Sequence, residues 1–266
     1  MHKKVTFNVH FIIPKKGYTI MKGTRFKEKK KLKLPLKIFL LVCIFVFLYS
    51  VYNIIYWVKS NNDLKELETG VFAEVVQKIE EENGEVVKTI DFDKLTQINS
   101  DVIGWISIEN TGINYPILQA NDNEYYLKKD LYKKNNSCGS IYLDCNTNKD
   151  FSEQNTVVYG HHLTRGGMFT ELDKIYNGEL GNEVYIQIYT LENSYKYQVI
   201  ASYIAKPSLE IVKKNFKNNE REQYLENAIN KSKIEFKKLE NMEENILTLV
   251  TCHGTQRTVV NAIRVK

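Results

Sequence analysis

Residues 246–265 read ILTLVTCHGTQRTVVNAIRV. Two runs rich in β-branched and apolar residues, 246–252 and 258–265, are separated by a short segment that contains Gly254. Such runs are typical of β-strands, because branched side chains pack well on a pleated surface. The stretch therefore predicts two strands at the end of the chain, with Cys252 ending the first and Arg257 just before the second.

Six more runs of the same kind occur upstream, with turn-forming residues between them. They cover residues 104–108, 114–117, 140–144, 156–159, 183–189 and 194–205. Eight short strands in succession favour a closed or nearly closed barrel. The fold class is therefore predicted to be mainly β, built on an eight-stranded barrel.

Helical patterns precede the β runs. Apolar residues recur at intervals of three and four over 61–83, where Gly84 ends the pattern. A second, shorter helix is expected over 92–98, with Asp91 as its N-terminal cap. The barrel is thus expected to follow a helical segment.

One further helix is expected to interrupt the β series. Residues 220–232, between the sixth and seventh strands, carry apolar side chains at helical spacing among many charges. Such a helix packs one face against the protein and exposes the other to water.

Positive charge is concentrated at the N-terminus. Of the 37 Lys and Arg residues in the chain, 12 lie in residues 1–37, where Glu28 is the single acidic residue. The remaining sequence has 25 basic and 31 acidic side chains. A nucleic-acid enzyme would more usually carry its basic excess on the folded part, so a nucleic-acid partner is not expected.

An uncharged run of 21 residues, 38–58, follows the basic tail. As a helix it would be roughly 31 Å long, enough to cross the hydrocarbon core of a bilayer. It is longer than the apolar stretch of a cleavable signal peptide and has no small-residue cleavage site, so an uncleaved anchor is expected rather than a buried core helix. Because basic flanks stay in the cytoplasm, residues 59–266 are expected outside the cell membrane.

These patterns divide the chain into four regions. Residues 1–37 are the basic cytoplasmic tail, and Met21 is an alternative start to Met1. Residues 38–58 are the single transmembrane anchor, 59–100 an extracellular helical segment, and 101–266 the β-barrel domain.

Cys252 is the first candidate for chemistry. A thiol at the end of a barrel strand lies at the rim on a rigid element, as a nucleophile requires, although a buried strand cysteine is the alternative. Cys138 and Cys145 flank a predicted strand of about 23 Å, whereas a disulfide needs Cα atoms within about 7 Å, so these two should not pair. Cys43 falls within the apolar run.

His161 and Arg257 are the other two candidates. The strand over 156–159 runs into His161 and His162, and neighbouring strand residues point to opposite faces, so only one of the two can face Cys252. A surface pair, or a metal site with His253 and Cys252, is the alternative, but no carboxylate or second thiol stands at ligand spacing. The guanidinium of Arg257 carries several N–H donors in a fixed planar geometry, which suits binding of a carbonyl or a developing oxyanion. Taken alone, an arginine at this position is more typical of the protein surface.

The combination of His, Cys and Arg in this order resembles the sortase family of cysteine transpeptidases. The resemblance spans about residues 102–266 and rests on Tyr-Gly-His at 159–161, Thr-Leu-Val-Thr-Cys at 248–252 and Arg-Thr-Val-Val-Asn-Ala at 257–262. Class B of the family is indicated by Gly-Trp-Ile at 104–106, Tyr-Pro-Ile at 115–117, Gly-Ser-Ile-Tyr-Leu-Asp at 139–144 and the helix near 220–232.

Two features depart from the class B pattern. Four residues separate Cys252 from Arg257, a shorter loop than is usual, so Arg264 is the alternative arginine. His253 follows the thiol where an acidic or polar residue is common, and it competes for the role of His161.

The resemblance implies a mechanism and partners. Cys252 would attack the Thr carbonyl of a C-terminal sorting motif of a secreted protein, Arg257 would steady the oxyanion, and His161 would protonate the departing amine. A cell-wall peptide amine, supplied by the peptidoglycan precursor, would then accept the acyl group. The resemblance places Asn123, Tyr159, Val250 and Thr251 in the substrate groove and requires no metal or cofactor.

Three alternatives remain open. A pilin-polymerising sortase would use a Lys side chain as the acceptor. A papain-like hydrolase would have its cysteine well before its histidine, whereas here His161 precedes Cys252 by 91 residues. A non-catalytic, membrane-tethered binding domain would form no thioester.

Overall fold

The computed structural model describes residues 33–80, 86–253 and 255–265, with backbone alone for residues 78–80, 86, 87, 252 and 253. The helices are α1 (Leu34–Thr69), α2 (Val71–Val75), α3 (Phe92–Ile98), α4 (Leu172–Asn177) and α5 (Glu220–Lys231). The strands are β1 (Val76–Glu80), β2 (Val86–Ile90), β3 (Val102–Ile108), β4 (Asn114–Leu118), β5 (Ile141–Leu143), β6 (Asn155–Gly160), β7 (Tyr185–Thr190), β8 (Ser194–Ala205), β9 (Ile246–His253) and β10 (Gln256–Arg264). Short 3-10 turns occupy Tyr125–Leu127 and Leu209–Val212.

The chain divides into two units, residues 1–49 and 50–266. In the first unit the described residues are helical from Leu34 onward, and their apolar side chains are exposed, Phe45 for example at 72%. The helical stretch Leu34–Val75 contains an 18-residue window of mean hydropathy 2.6, so by length and composition it can cross a membrane. The predicted basic tail lies almost entirely in residues 1–32, outside the described part of the chain.

In the second unit, strands β3 to β10 close into a barrel. The order around the barrel is β10-β8-β7-β3-β4-β5-β6-β9. The pairs β4–β5 and β6–β9 are parallel, and the other barrel pairs are antiparallel. The prediction of an eight-stranded barrel is confirmed.

The barrel closes around apolar side chains. Trp105, Ile117, Val158 and Leu249 are among the fully buried members of the main core cluster. Removing apolar surface from water contributes roughly 25 cal/mol per Å², so this core is a large favourable contribution to folding. The strand ends are held by this rigid core, and side chains placed there have fixed positions.

The predicted helix over 61–83 is wrong beyond Val75. Helical structure ends at Val75, and β1 pairs antiparallel with β2 from Val76↔Ile90 to Glu80↔Val86. The apolar spacing fits both structures, but β-branched residues in both paired segments, 76–80 and 86–90, favour strand pairing. Residues 81–83 and the predicted terminator Gly84 lie outside the described residues.

The other two predicted helices are present. Helix α3 has the predicted bounds, and the Asp91 side chain caps it by accepting a hydrogen bond from the Lys94 amide at 2.9 Å. Helix α5 lies between the sixth and seventh barrel strands, β8 and β9. Its buried residues Leu225 and Ala228 join a second apolar cluster on the barrel.

A buried polar network also holds α5 on the barrel. The Tyr224 hydroxyl donates to the Ile211 carbonyl at 3.1 Å and accepts from Asn261 Nδ2 at 2.9 Å. Asn261 also donates to Thr248 Oγ1 at 2.8 Å. Because buried polar groups are costly unless bonded, this network fixes the position of the insertion on strands β9 and β10.

Candidate active site

The three predicted catalytic residues lie at the same end of three neighbouring strands. The parallel pair of β6 and β9 ends with Gly160 opposite Thr251, so His161 and Cys252 are the next residues along the two strands. On the other side of β9, Arg257 of β10 is the direct partner of Cys252. The register of β6, β9 and β10 therefore brings the backbone positions of His161, Cys252 and Arg257 together.

The short spacing between Cys252 and Arg257 forms a tight hairpin. His253 pairs with Gln256, which leaves only residues 254 and 255 between the two strands. The Arg257 side chain is half-buried, and its Nη1 donates to the Gln256 carbonyl at 2.8 Å. The spacing that departed from the family pattern thus places Arg257 beside Cys252.

The His161 ring is half-buried and held by the backbone of the 3-10 turn Tyr125–Leu127. Its Nε2 lies 2.7 Å from the Leu127 carbonyl oxygen. Because a carbonyl oxygen only accepts hydrogen bonds, Nε2 must carry a hydrogen, and in the neutral ring Nδ1 is then the basic nitrogen. The ring is therefore oriented to exchange protons through Nδ1.

Gly139 packs against the same ring. A Cβ atom at this position would lie 2.8 Å from His161 Cδ2 and 2.8 Å from the Leu127 carbonyl oxygen. The residue also has φ +61°, a left-handed conformation that glycine adopts at least cost. Only a glycine fits between the ring and the carbonyl that orients it.

His162 has different partners from His161. Its Nε2 lies 2.7 Å from Asp173 Oδ2 of α4, and it forms an isolated β-bridge with Met168. The two adjacent histidines therefore make separate contacts, although β6 ends at Gly160 and the predicted strand does not continue through His161. The contact between His162 and Asp173 holds α4 against the segment that follows β6. The side chain of His253, the other candidate for the role of His161, lies outside the described residues.

Arg264 serves the packing of the barrel. Its Nη2 donates to the Phe151 carbonyl at 2.6 Å and to the Tyr197 hydroxyl at 3.0 Å, and its guanidinium stacks over Tyr195 at 4.1 Å. These contacts lie at the end of β10 remote from Cys252. The alternative assignment of Arg264 to the catalytic role has no geometric support.

Two of the predicted groove residues meet at Asp144. Its Oδ2 accepts from Asn123 Nδ2 at 2.9 Å and from the Tyr159 hydroxyl at 3.4 Å. Its Oδ1 accepts from Lys214 Nζ at 2.8 Å. The side-chain Oδ1 of Asn123 accepts from the Cys145 backbone amide at 2.8 Å, so among the described residues one N–H of Asn123 Nδ2 remains for a ligand.

The environment of Asp144 favours its charged form. Burial alone would raise the pKa of its carboxyl, but hydrogen bonds from Lys214, the Asn146 amide and Asn123 outweigh burial and lower the pKa below its usual value. Burial, followed by the Asp144 charge, raises the pKa of Tyr159. The carboxylate therefore stays ionised and Tyr159 stays a neutral donor near neutral pH.

The remaining predicted groove residues lie in β9. Val250 pairs with Tyr159 of β6 and is 3% exposed. Thr251 lies on the opposite strand face, is 2% exposed, and its Oγ1 has no hydrogen-bond partner among the described residues. Val250 is thus adjacent to the Asp144 cluster, whereas the Thr251 side chain is not.

The other cysteines are free. Cys138 and Cys145 form no disulfide, which confirms the prediction that they do not pair. Burial, followed by the charges of Glu68 and Asp63, raises the pKa of Cys138 to about 11. Because the thiolate is the nucleophile, Cys138 is poorly suited to that role.

The sequence did not point to Asp144, Lys214 or Gly139 as site residues. Asp144 and Gly139 lie in a recognised motif, but nothing local identifies their partners. Within the described ranges, no group of three or more His, Cys, Asp or Glu residues is placed to hold a metal ion. The alternative prediction, a metal site formed with Cys252 and His253, involves side chains that lie outside the described residues.

Comparison with known proteins agrees with this geometry. The Sortase domain family model matches residues 106–265. Sortase B of Staphylococcus aureus (strain NCTC 8325 / PS 47) is 30% identical over 182 residues, which are 66% of this chain and 75% of the relative.

Solved structures of sortases are also similar to this chain. Sortase B of Clostridium perfringens has a TM-score of 0.61 and 29% identity, covering 66% of this chain and 100% of that one. Sortase B of Bacillus anthracis has a TM-score of 0.64 and 31% identity, covering 77% of this chain and 96% of that one. The inserted helix α5, the converging strand ends and all of the barrel except the start of β3 fall within residues 106–265, and the chain belongs to the sortase family of cysteine transpeptidases, in class B.

Proposed function

We propose that this sortase cleaves a C-terminal sorting motif of secreted proteins at a Thr carbonyl and transfers the acyl group to a cell-wall peptide amine. Cys252 is the nucleophile, His161 the general acid and base, and Arg257 the oxyanion donor. The observation that carries the proposal is the register of β6, β9 and β10, which brings these three backbone positions to one strand end. The order of the three residues matches the family motifs, although the loop between Cys252 and Arg257 is shorter than is usual in class B.

In the first half-reaction, the Cys252 thiolate attacks the Thr carbonyl carbon, and the carbonyl electrons move to its oxygen. The Arg257 guanidinium donates hydrogen bonds to that oxyanion. When the intermediate collapses, the C–N bond breaks and protonated His161 gives the Nδ1 proton to the departing amine. The orientation of the ring through Nε2 and the Leu127 carbonyl supports this choice of nitrogen.

In the second half-reaction, an amine attacks the thioester and His161 accepts a proton from it. Cys252 leaves as a thiolate, so both residues return to their starting states. One solved sortase B structure is a complex with triglycine, and the S. aureus enzyme has been solved with a substrate. These relatives support a peptide amine as the acceptor and a sorting peptide as the donor.

The proposed substrate groove lies beside β6 and β9. Tyr159 and Val250 are paired across these strands, and Asn123 joins Tyr159 at the Asp144 carboxylate. Thr251 would contribute through its backbone, since its side chain is buried on the other face of β9. The free N–H of Asn123 and the Tyr159 ring are then the groups available to a bound peptide.

We place the enzyme in the cell membrane, with its basic tail inside and its barrel outside. The length and hydropathy of the helix from Leu34 support a single membrane span, and 12 of 37 basic residues precede the apolar run. Substrates with membrane-spanning tails and a lipid-linked wall precursor would share the same thin layer. Tethering raises the effective concentration of all three components.

Mass spectrometry of the full chain in detergent micelles tests the proposal. Incubation with a library of sorting peptides should add an acyl mass to Cys252, and a wall-peptide amine should discharge it. The variant C252A should show no adduct, while C138S and C145S should keep most of the activity. An adduct on another cysteine would move the nucleophile, and peptide binding without an adduct would favour a binding domain. Discharge by a pilin Lys instead of the wall amine would favour the polymerising alternative.

A further inference from the structure

One face of α1 contacts the barrel around the site. Ser60, Leu64 and Leu67 are buried, and Trp57 and Glu68 lie at helical spacing on the same side. Trp57, Ser60, Leu64 and Glu68 follow one another at intervals of three, four and four residues, and Leu67 lies beside them, so they form a single stripe along the helix. This stripe contacts the two segments of chain that adjoin His161, residues 136–139 and 162–168.

The first segment is bonded to Ser60. The Ser137 amide donates to Ser60 Oγ at 3.0 Å, and Asn136 Nδ2 donates to the Ser60 carbonyl at 3.2 Å. Asn136 also organises the turn itself, since its Oδ1 accepts from the Cys138 amide and its carbonyl accepts from the Gly139 amide. The turn thus ends at Gly139, which packs against the His161 ring and the Leu127 carbonyl.

The second segment is bonded to Glu68 through a tyrosine. The Met168 amide donates to the Tyr115 hydroxyl at 3.1 Å, and that hydroxyl donates to Glu68 Oε1 at 2.5 Å. Burial, followed by the hydrogen bond to Glu68, raises the pKa of Tyr115, so the hydroxyl keeps its proton. The Phe169 amide, next in the chain, donates to the His161 carbonyl at 3.0 Å.

A stacking contact holds the same segment to α1. The Arg165 guanidinium lies over the Trp57 ring at 4.4 Å from the centroid. At Gly167, a Cβ atom would lie 3.4 Å from Leu64 Cδ2 and 3.5 Å from Glu68 Oε1. The segment therefore runs directly along the helix, although it has almost no regular secondary structure of its own.

We propose that α1 is a positioning element of the active site, with Ser60 and Glu68 holding the two segments that fix the His161 ring. The inference rests on the proposed role of His161. Both segments are loops, and loops without such contacts open locally at low free-energy cost. A general acid must stay in near-attack geometry, and a displacement of about 1 Å can cost up to about 100-fold in rate.

Variants of Glu68 in the full chain, held in detergent micelles, test the inference. Glu68→Ala removes the acceptor of the Tyr115 hydroxyl, and we expect the single-turnover rate of acylation to fall about tenfold, with KM little changed. Glu68→Gln keeps an acceptor oxygen and should restore most of the rate. Glu66→Ala, an exposed residue of the same helix, is the matched control and should be neutral. Ser60→Ala tests the other segment and should slow acylation in the same direction.

Combining these variants with His161→Ala distinguishes positioning from general loss of structure. If Glu68 acts through His161, Glu68→Ala should cost almost nothing in the His161→Ala background. An equal tenfold loss in both backgrounds, or no loss in wild type, would overturn the inference. A His161→Ala variant with wild-type rate would instead overturn the proposed function. Melting curves of all variants show whether each protein is folded.

Discussion

Arg257 and Cys252 are direct partners across the antiparallel pair of β9 and β10. Arg264 is the partner of Tyr197 on β8, seven residues further along β10. Seven residues of strand extend roughly 23 Å, which is beyond the reach of an arginine side chain. The two arginines of the last strand therefore lie in separate surroundings, and of the two only Arg257 is near enough to act on the proposed thiol nucleophile.

Arg257→Ala should lower the acylation rate by about 10²–10³-fold, as loss of an oxyanion donor does in other enzymes. Arg264→Ala should lower the melting temperature, because it removes the contacts to Phe151 and Tyr197, but the rate per folded molecule should stay near wild type. Single-turnover acylation and a melting curve for each variant separate the two effects. A larger rate loss from Arg264→Ala would reverse the assignment.

His161→Ala should lower acylation and transfer by about 10²–10⁴-fold while the protein remains folded. His162→Ala removes the contact to Asp173, so its main effect should be on stability. His253→Ala should also cost far less rate than His161→Ala. The three variants are compared by single-turnover kinetics, and the assignment is refuted if His162 or His253 proves the most damaging loss.

The barrel was predictable because its strands are apolar runs of strand length bounded by turn residues. The pairing of β1 with β2 was missed, since Val71, Val75 and Ile79 also fit a helical period and the partner strand, 86–90, is a separate segment of the sequence. Helix α4 was missed because six residues are too short for a periodic signal. Local sequence patterns identify most helices and strands. Where a segment fits both, pairing with a distant segment decides which of the two forms.

The candidate site was predictable only in part. The order of His161, Cys252 and Arg257 follows from the sequence, but their convergence depends on the strand register. The partner of Asp144, Lys214, is 70 residues away, and no spacing rule connects the two. Likewise, Ser60 contacts a turn 76 residues further on. Contacts of this kind come from packing of the whole domain.

Lys214→Met should destabilise the protein more at pH 7 than at pH 3. The pKa of Asp144 is lower in the folded chain than in the unfolded one, where it is about 3.9. A depressed carboxyl pKa adds stability above the unfolded pKa, and that stability is lost as pH falls through the folded pKa. At pH 7 the loss should be roughly 1.5–3 kcal/mol, the range for a hydrogen bond to a charged group.

Denaturant unfolding at both pH values measures this difference. Lys213→Met is the matched control, because the Lys213–Glu220 ion pair is exposed, with side chains 39% and 43% accessible. Exposed pairs contribute little, so this variant should change stability only slightly at either pH. Equal losses for Lys214→Met at pH 7 and pH 3 would show that Asp144 ionisation does not contribute.

External protease added to intact protoplasts should remove the barrel that contains Cys252. The expectation follows from the 12 basic residues before the apolar run, which stay on the cytoplasmic side of a membrane. Immunoblotting with an antibody against the C-terminus should show loss of the full-length band, and detergent-lysed cells serve as the control for protease access. Protection of the barrel in intact protoplasts would reverse the orientation.

Gly139→Ala should lower the acylation rate far more than Gly166→Ala. Both glycines have positive φ, +61° and +86°, so both variants carry a backbone strain of about 1–2 kcal/mol. A Cβ at Gly166 meets no atom within 4 Å, whereas one at Gly139 meets His161 Cδ2 at 2.8 Å. In Gly139→Ala the His161 ring must therefore move away from the Leu127 carbonyl. Its Nδ1 atom then no longer lies where it would give a proton to the departing amine. Rates per folded molecule, with melting curves to correct for strain, measure the difference. Equal rates for the two variants would show that the ring position does not limit acylation.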